Sequence, residues 1–239
     1  MNDLLKVENV TKSFDGLIVL KDVNFVMRQG EILGLIGPNG AGKTTLFDII
    51  SGFHRANKGH IYFKGHQVSD ESPHVICRLG LARTFQLTRP FKRLTVMKNV
   101  LVGAYSSNEG LDTAYDVAEH SLKLVGLWEK ANYPISSLTL YERKRLELAR
   151  ALATVPSLLL LDEVMAGLNQ SEIHTMIDLL YQIRDSDISI FLVEHVMKAI
   201  MSLSDRIMVL NHGELIFIGP PSEATRDRQV ISAYLGDEI

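Results

Sequence analysis

Short apolar runs at a two-residue period open and close the chain, and a long stretch of helical texture separates them. Leu5-Lys6-Val7-Glu8-Asn9-Val10 alternates apolar and polar residues, Gly16 interrupts, and Leu17 to Leu20 and Val23 to Met27 follow before a turn at Gln29-Gly30. Such alternation predicts half-buried strands. Ile32 to Ile36 is a short apolar strand that runs into glycines, and Thr44 to Ile50 predicts a helix closed by Gly52. Ile61-Tyr62-Phe63 is a further strand, ending at Lys64-Gly65.

From about Pro73 to Ala153 strand-like runs vanish, and Ala, Leu, Lys, Arg and Glu dominate at helical spacing. The pattern predicts helices over Met97–Tyr105, Leu111–Val125 and Glu142–Ala153. Strand runs return at Leu158–Leu161, Ile188–Val193 and Arg206–Leu210, with a helix, Gln170–Arg184, between the first two. That alternation predicts right-handed crossovers and a parallel sheet. Asn211-His212-Gly213-Glu214 reads as a hairpin turn joining Ile207–Leu210 to Leu215–Ile218. No internal repeat or low-complexity tract interrupts the chain.

Composition narrows the class. A chain of 239 residues suffices for one large domain or two lobes sharing a core. Hydrophobic content of 46% and charged content of 22% are those of a folded globular protein. A net charge of −3 supplies no overall basic field for nucleic acid or acidic lipid. The lone Cys77 can form neither an intramolecular disulfide nor a metal cluster, and reads as a small buried apolar residue in a reducing compartment. No apolar run approaches the ~20 residues of a membrane-spanning helix, and Met1 to Lys6 lacks a signal-peptide layout. The expectation is a soluble chain whose membrane role, if any, comes through a partner.

The first chemistry lies between the strand at Ile32–Ile36 and the helix after it. Gly37-Pro38-Asn39-Gly40-Ala41-Gly42-Lys43-Thr44 fits G-x-x-x-x-G-K-[ST] at every fixed position, and Thr45 follows. Glycines let the backbone wrap around phosphate oxygens, successive N–H groups point into the concavity, and the helix adds its positive N-terminal end. Lys43 is expected to neutralise the β- and γ-phosphates, and the Thr44 hydroxyl to ligate Mg²⁺. A chance glycine turn would not need this strand–loop–helix setting.

Leu158-Leu159-Leu160-Leu161-Asp162-Glu163 is a buried strand ending in two carboxylates, at the sheet edge where ligands sit. Asp162 is expected to hold Mg²⁺ and Glu163 to polarise the attacking water. Without the phosphate loop, a solvated turn would explain the pair equally well. The next strand runs into Glu194-His195, where His195 would reach the γ-phosphate; a lone histidine is otherwise more often structural.

In this order of motifs the sequence resembles the ATP-binding cassette family across essentially its whole length. The resemblance implies ATP and Mg²⁺ as cofactors, and a P-loop NTPase (RecA-like) α/β core with an antiparallel β-subdomain and an inserted helical subdomain. Residues 1–86 and 154–239 would form the nucleotide-binding lobe, and 87–153 the helical lobe with the signature segment. Gln86, in Arg83-Thr84-Phe85-Gln86, matches the family glutamine that senses Mg²⁺ and the γ-phosphate, and Phe14, in Lys12-Ser13-Phe14, the aromatic that stacks on adenine; a core position is the plainer alternative for Phe14.

The signature of the family, Leu-Ser-Gly-Gly-Gln, is here Leu138-Thr139-Leu140-Tyr141-Glu142. Thr139 and Glu142 make a T-x-x-E capping box, so a helix start is expected with or without signature function. Under the family reading, Thr139 and Tyr141 would act in trans on a partner's ATP. Asn169 stands where many cassettes carry aspartate, and Val164 where proline is common.

Gly80 to Gln86, Pro90 to Val96, Ala166 to Asn169, Val193 to Met197 and Ala233-Tyr234-Leu235-Gly236 are similar to the ATPase subunits of branched-chain amino acid importers. Related importers of urea and amides share much of this. The resemblance implies membrane permease subunits, a second cassette (identical or related), an indirect link to a solute-binding protein, no nucleic acid, and a cytoplasmic position on the inner face of the membrane. Arg89, Lys92, Arg93 and Lys98 would contribute to permease docking, unless they simply form a solvated face. A soluble cassette of repair or translation is the competing class, but the long coiled-coil insertions or second cassette usual there are missing. A P-loop GTPase or kinase fits poorly, since there is no Asn-Lys-x-Asp motif.

Overall fold

In the computed structural model, residues 3–85, 90–107 and 111–235 are described. Strands β1 (Asp3–Phe14) and β2 (Leu17–Arg28) form a long antiparallel hairpin. After β3 (Ile32–Ile36) and helix α1 (Lys43–Ile50), β4 (Lys58–Phe63) pairs with the other edge of β1, and β5 (His66–Gln67) completes a four-stranded sheet in the order β2-β1-β4-β5. The two runs expected at Leu17–Leu20 and Val23–Met27 are one strand. Register shifts and positive φ at Asn9 (51°) and Asp22 (50°) absorb the break while both halves stay paired to β1.

Helix α2 (Pro73–Arg78) and strand β6 (Leu81–Arg83) precede the helical lobe. Both lie in the stretch expected to lack strands. A three-residue strand is too short to express a period, and β6 exists through its parallel pairing with a later strand. Cys77 on α2 is half-buried rather than fully buried. Helices α3 (Val96–Ala104), α4 (Leu111–Leu124) and α5 (Leu140–Leu152) then pack together as the sequence pattern anticipates. Small residues allow the close approach: Ala104, Ala114, Ala118 and Ala149 are all buried at this junction.

The chain returns through β7 (Leu158–Asp162), α6 (Gln170–Asp185), β8 (Ser189–Val193), α7 (Met197–Leu203), β9 (Arg206–Asn211), β10 (Glu214–Gly219), α8 (Pro221–Ala224) and α9 (Arg228–Leu235). The second sheet runs β10-β9-β3-β8-β7-β6, parallel except for β10. Every residue of β3, β7 and β8 is buried, because both faces of this sheet are covered. Leu159, Leu161, Ile190 and Leu192 face the helices, while Leu158, Leu160, Phe191 and Val193 face the cluster shared with α1 and the first sheet. Gly34 in β3 is required by close packing, since a Cβ there would lie 2.5 Å from Ser204 Oγ and 2.8 Å from Ile200 Cγ1. β3 lies between β8 and β9, so the loop leaving its C-terminal end emerges at the middle of the sheet.

Candidate functional site

The loop after β3 is shaped by its glycines. Gly37 approaches the end of β9 so closely that a Cβ would sit 2.1 Å from the Leu210 carbonyl oxygen, and Gly42 holds φ of 103° at the N-cap of α1. The β9–β10 turn braces the loop from outside: Gly213 N–H donates to the Ala41 carbonyl at 3.1 Å. The first-turn amides of α1 have no preceding helical carbonyl to bond, and their dipole favours an anion. Lys43 Nζ donates to the carbonyls of Gly37 (2.7 Å) and Pro38 (2.9 Å), spanning the mouth of the loop. Burial draws its pKa below the usual lysine range, while the charges of Glu163 and Asp162 oppose that shift.

Asp162 ends β7 as the sequence pattern anticipates, buried. Burial raises its pKa, and the Arg83 guanidinium beside it pulls the other way. Glu163 follows with a positive φ of 52°, rare for a side chain of this kind. That backbone is held from both sides: its N–H donates to the Val193 carbonyl at 2.9 Å, and its own carbonyl accepts from Lys144 Nζ at 3.0 Å. The turn redirects the carboxylate to His195, whose Nε2 lies 2.8 Å from Glu163 Oε1. Strain over-determined by its surroundings is a frequent feature of reacting centres.

Asn39 to Thr45, Glu163 and His195 line one cleft of about 210 Å³. Asp162 is not in that lining; it is buried against Arg83, close enough for its charge to act on Lys43. Thr44 is exposed on the first turn of α1. Among the described residues no group of three or more His, Cys, Asp or Glu gathers into a metal cage. The donor set, one carboxylate and one hydroxyl beside a phosphate loop, instead fits an ion that takes most of its remaining ligands from nucleotide and water.

Phe14 is not a core residue. It stands at the end of β1, 39% exposed, edge-on to His54 at 5.3 Å and with Lys12 Nζ 4.7 Å above its ring. Thr139 caps α5 in the expected box: its Oγ1 accepts from Glu142 N–H at 3.2 Å, and Glu142 Oε2 accepts from Thr139 N–H at 3.0 Å. Glu142 is also paired with Lys130, so its charge is locally compensated; burial raises its pKa, but the Lys130 contact and the Thr139 N–H together bring it below the usual value. Tyr141 turns into the helical lobe, with its hydroxyl buried and Arg145 4.5 Å above its ring.

The arrangement matches known proteins. A family model described as ABC transporter matches residues 20–166, more than half of the chain. The chain belongs to the ATP-binding cassette family. It is 38% identical to the high-affinity branched-chain amino acid transport ATP-binding protein LivG of Salmonella typhimurium, over 98% of each chain. It is 35% identical to the corresponding protein BraF of Pseudomonas aeruginosa, also over 98% of each. Among solved structures, a nucleotide-free ATP-binding cassette from an ABC transporter superposes with a TM-score of 0.90 at 26% identity, covering 99% of this chain and 100% of that one.

Within this cassette, two sequence departures are accounted for locally. Asn169 caps α6, its Oδ1 accepting from Glu172 N–H at 3.0 Å, and Val164 is buried in the core. Gln86 and Arg89 lie outside the described residues.

Several residues around the cassette site escape sequence reasoning. Glu194 is buried and accepts from Met165 N–H at 2.7 Å, linking the end of β8 to the turn after Glu163. Burial pushes its pKa up to about 7, against the pull of that N–H and of Lys144. Lys144 on α5 is itself buried, with its pKa lowered by desolvation. Arg83 is a third. Their only signal in the sequence is a charge set inside or beside an apolar run.

A larger cleft, about 370 Å³, lies away from the phosphate loop, between the nucleotide-binding core and the helical lobe. Phe53, Phe85 and Val102 are exposed in its wall, beside Glu147 and Arg150 of α5. Burial raises the Glu147 pKa and lowers that of Arg150.

Proposed function

We propose that this cassette hydrolyses ATP to drive an importer of branched-chain amino acids through separate membrane subunits. The observation that carries the reading is the shared cleft, in which a phosphate loop, a strained glutamate and a histidine face one another. Resemblance along the full length to LivG and BraF supports the transported class.

In this reading the amides of Gly37 to Thr45 cradle the phosphates, and Lys43 turns from its loop carbonyls toward the β- and γ-oxygens. Glu163 takes a proton from the attacking water, and His195 fixes that carboxylate and faces the γ-phosphate. Thr44, Asp162 and Gln86 would hold Mg²⁺, which supplies charge neutralisation at the β- and γ-phosphates. Phe14, exposed at the end of β1, would stack on adenine. The exposed capped start of α5, with Thr139 at its tip, suits the phosphates of a second cassette's ATP. Tyr141, turned inward, would support that helix rather than touch the nucleotide.

No helix among the described residues is long and apolar enough to cross a membrane. Contact with the membrane would therefore come through permease subunits, and the cleft walled by Phe53, Phe85 and Val102 offers them a seat with apolar and charged character. A solute-binding protein would join indirectly. Purification from detergent-solubilised membranes tests the reading: permease subunits should co-purify, and reconstituted vesicles should take up leucine, isoleucine or valine on ATP addition. Uptake of urea or amides instead would reassign the solute, and recovery with soluble partners alone would contradict the importer.

A further inference from the structure

Arg83 occupies an unusual box. It closes β6, with its side chain only 5% exposed. Nη1 donates to Asp48 Oδ1 at 2.6 Å and to Ser51 Oγ at 3.0 Å, both contributed by the end of α1. Nη2 reaches Asp162 Oδ2 at 3.4 Å. Phe47, Phe53 and Phe85 surround the guanidinium at 5.8, 5.7 and 5.1 Å. A cation this deep is retained only where carboxylates compensate it, and the planar fork of arginine lets one group address two of them in fixed directions.

The two limbs are unequal. The short bonds anchor the guanidinium to α1, the helix that begins at Lys43, and the longer one reaches the carboxylate that ends β7. With aromatic rings covering its faces, the group has little freedom to swing. Asp162 is therefore held, through Arg83, in register with the helix that carries Lys43 and Thr44.

We propose that Arg83, anchored by Asp48, is a positioning residue for hydrolysis that sets Asp162 against the phosphate loop. The inference rests on the reading of Asp162 as a magnesium-side ligand. Outer partners of ligating carboxylates typically govern about 10- to 100-fold in metal affinity or activity. Arg83 pairs with Asp48, Ser51 and Asp162 and does not line the phosphate-loop cleft, so its effect should appear in the magnesium dependence and not in metal-free nucleotide binding.

The test measures ATPase rate against Mg²⁺ concentration in the assembled transporter, with binding of a fluorescent ATP analogue in EDTA as the second readout. Arg83→Met should raise the half-saturating Mg²⁺ about tenfold or more, and Arg83→Lys should recover only part of that, since a point charge cannot span both carboxylates. Binding in EDTA should stay within about twofold. Asp48→Asn alters a partly exposed anchor without removing the buried cation, and should raise the same midpoint several-fold. Unchanged midpoints in a folded Arg83→Met protein, or in Asp48→Asn if the former does not fold, would overturn the proposal. Equal losses with and without Mg²⁺ would also overturn it, as they would mark a purely structural role. Asp162→Asn separates the two levels: if that variant keeps the wild-type midpoint, the ligand reading itself fails.

Discussion

Nε2 of His195 stands 2.8 Å from Oε1 of Glu163, across the gap between the ends of two neighbouring parallel strands. The contact exists because Glu163 adopts a left-handed backbone, clamped by the Val193 carbonyl and by Lys144. Sequence adjacency places Asp162 and Glu163 together, but the turn sends Glu163 to His195 while Asp162 stays with Arg83. His195→Ala should lower kcat about 100-fold, the low end for a positioned proton transfer, with KM for ATP little changed. Steady-state ATPase assays decide it; a pure KM effect would mark His195 as a binding residue only.

Lys43 is buried and already bonded to two loop carbonyls, so its amine is fixed beside the loop proposed to cradle the phosphates. Lys43→Ala should weaken ATP binding about 10- to 100-fold, the equivalent of about 1.5–3 kcal/mol for a hydrogen bond to a charged group. Equilibrium titration with a fluorescent nucleotide measures this, and wild-type affinity would refute the assignment.

Glu194 gives the fold a pH signature. Lys144 and Glu163 are the charges that act on it, and the Met165 and His195 backbone N–H groups bond its carboxylate. Its folded pKa of about 7 stands above the ordinary 4.5, so between these values the folded state binds more protons than the unfolded chain. Stability from this group therefore falls as pH rises through that window, by on the order of 3 kcal/mol, and is level above it. Glu194→Gln should remove the slope. Denaturant midpoints from pH 5 to 8 should show wild type losing ground against the variant up to about pH 7; parallel curves would contradict this.

In the proposed importer the basic cluster after Phe85 would dock on the permease. Lys92, Arg93 and Lys98 are exposed. Reversing charge at Arg89 and Arg93 together should abolish transport in reconstituted vesicles while ATP binding stays at wild-type strength. Normal transport by the double variant would remove this face from permease docking.

How much of this was legible in the sequence depended on how local each signal is. The strand–loop–helix form around Gly37–Thr44 was readable because the motif fixes residue types at set spacing, with a strand before and a helix after. The Thr139–Glu142 cap was readable for the same reason, and the Asn169–Glu172 cap repeats that logic with asparagine. β6 and α2 were not, since three and six residues cannot display a period and owe their form to their neighbours. Arg83 and Glu194 were opaque because their meaning comes from partners far along the chain: Asp162 lies 79 positions from Arg83, and Met165 lies 29 from Glu194. No spacing rule joins such pairs before the sheet is assembled.

The most direct measurement is on Glu163→Gln, comparing nucleotide bound with nucleotide hydrolysed in the same purified sample. Full ATP occupancy with turnover reduced by about 100-fold or more is expected, because the amide keeps the shape of the carboxylate and loses the base. Hydrolysis at the wild-type rate would show that the water is activated elsewhere.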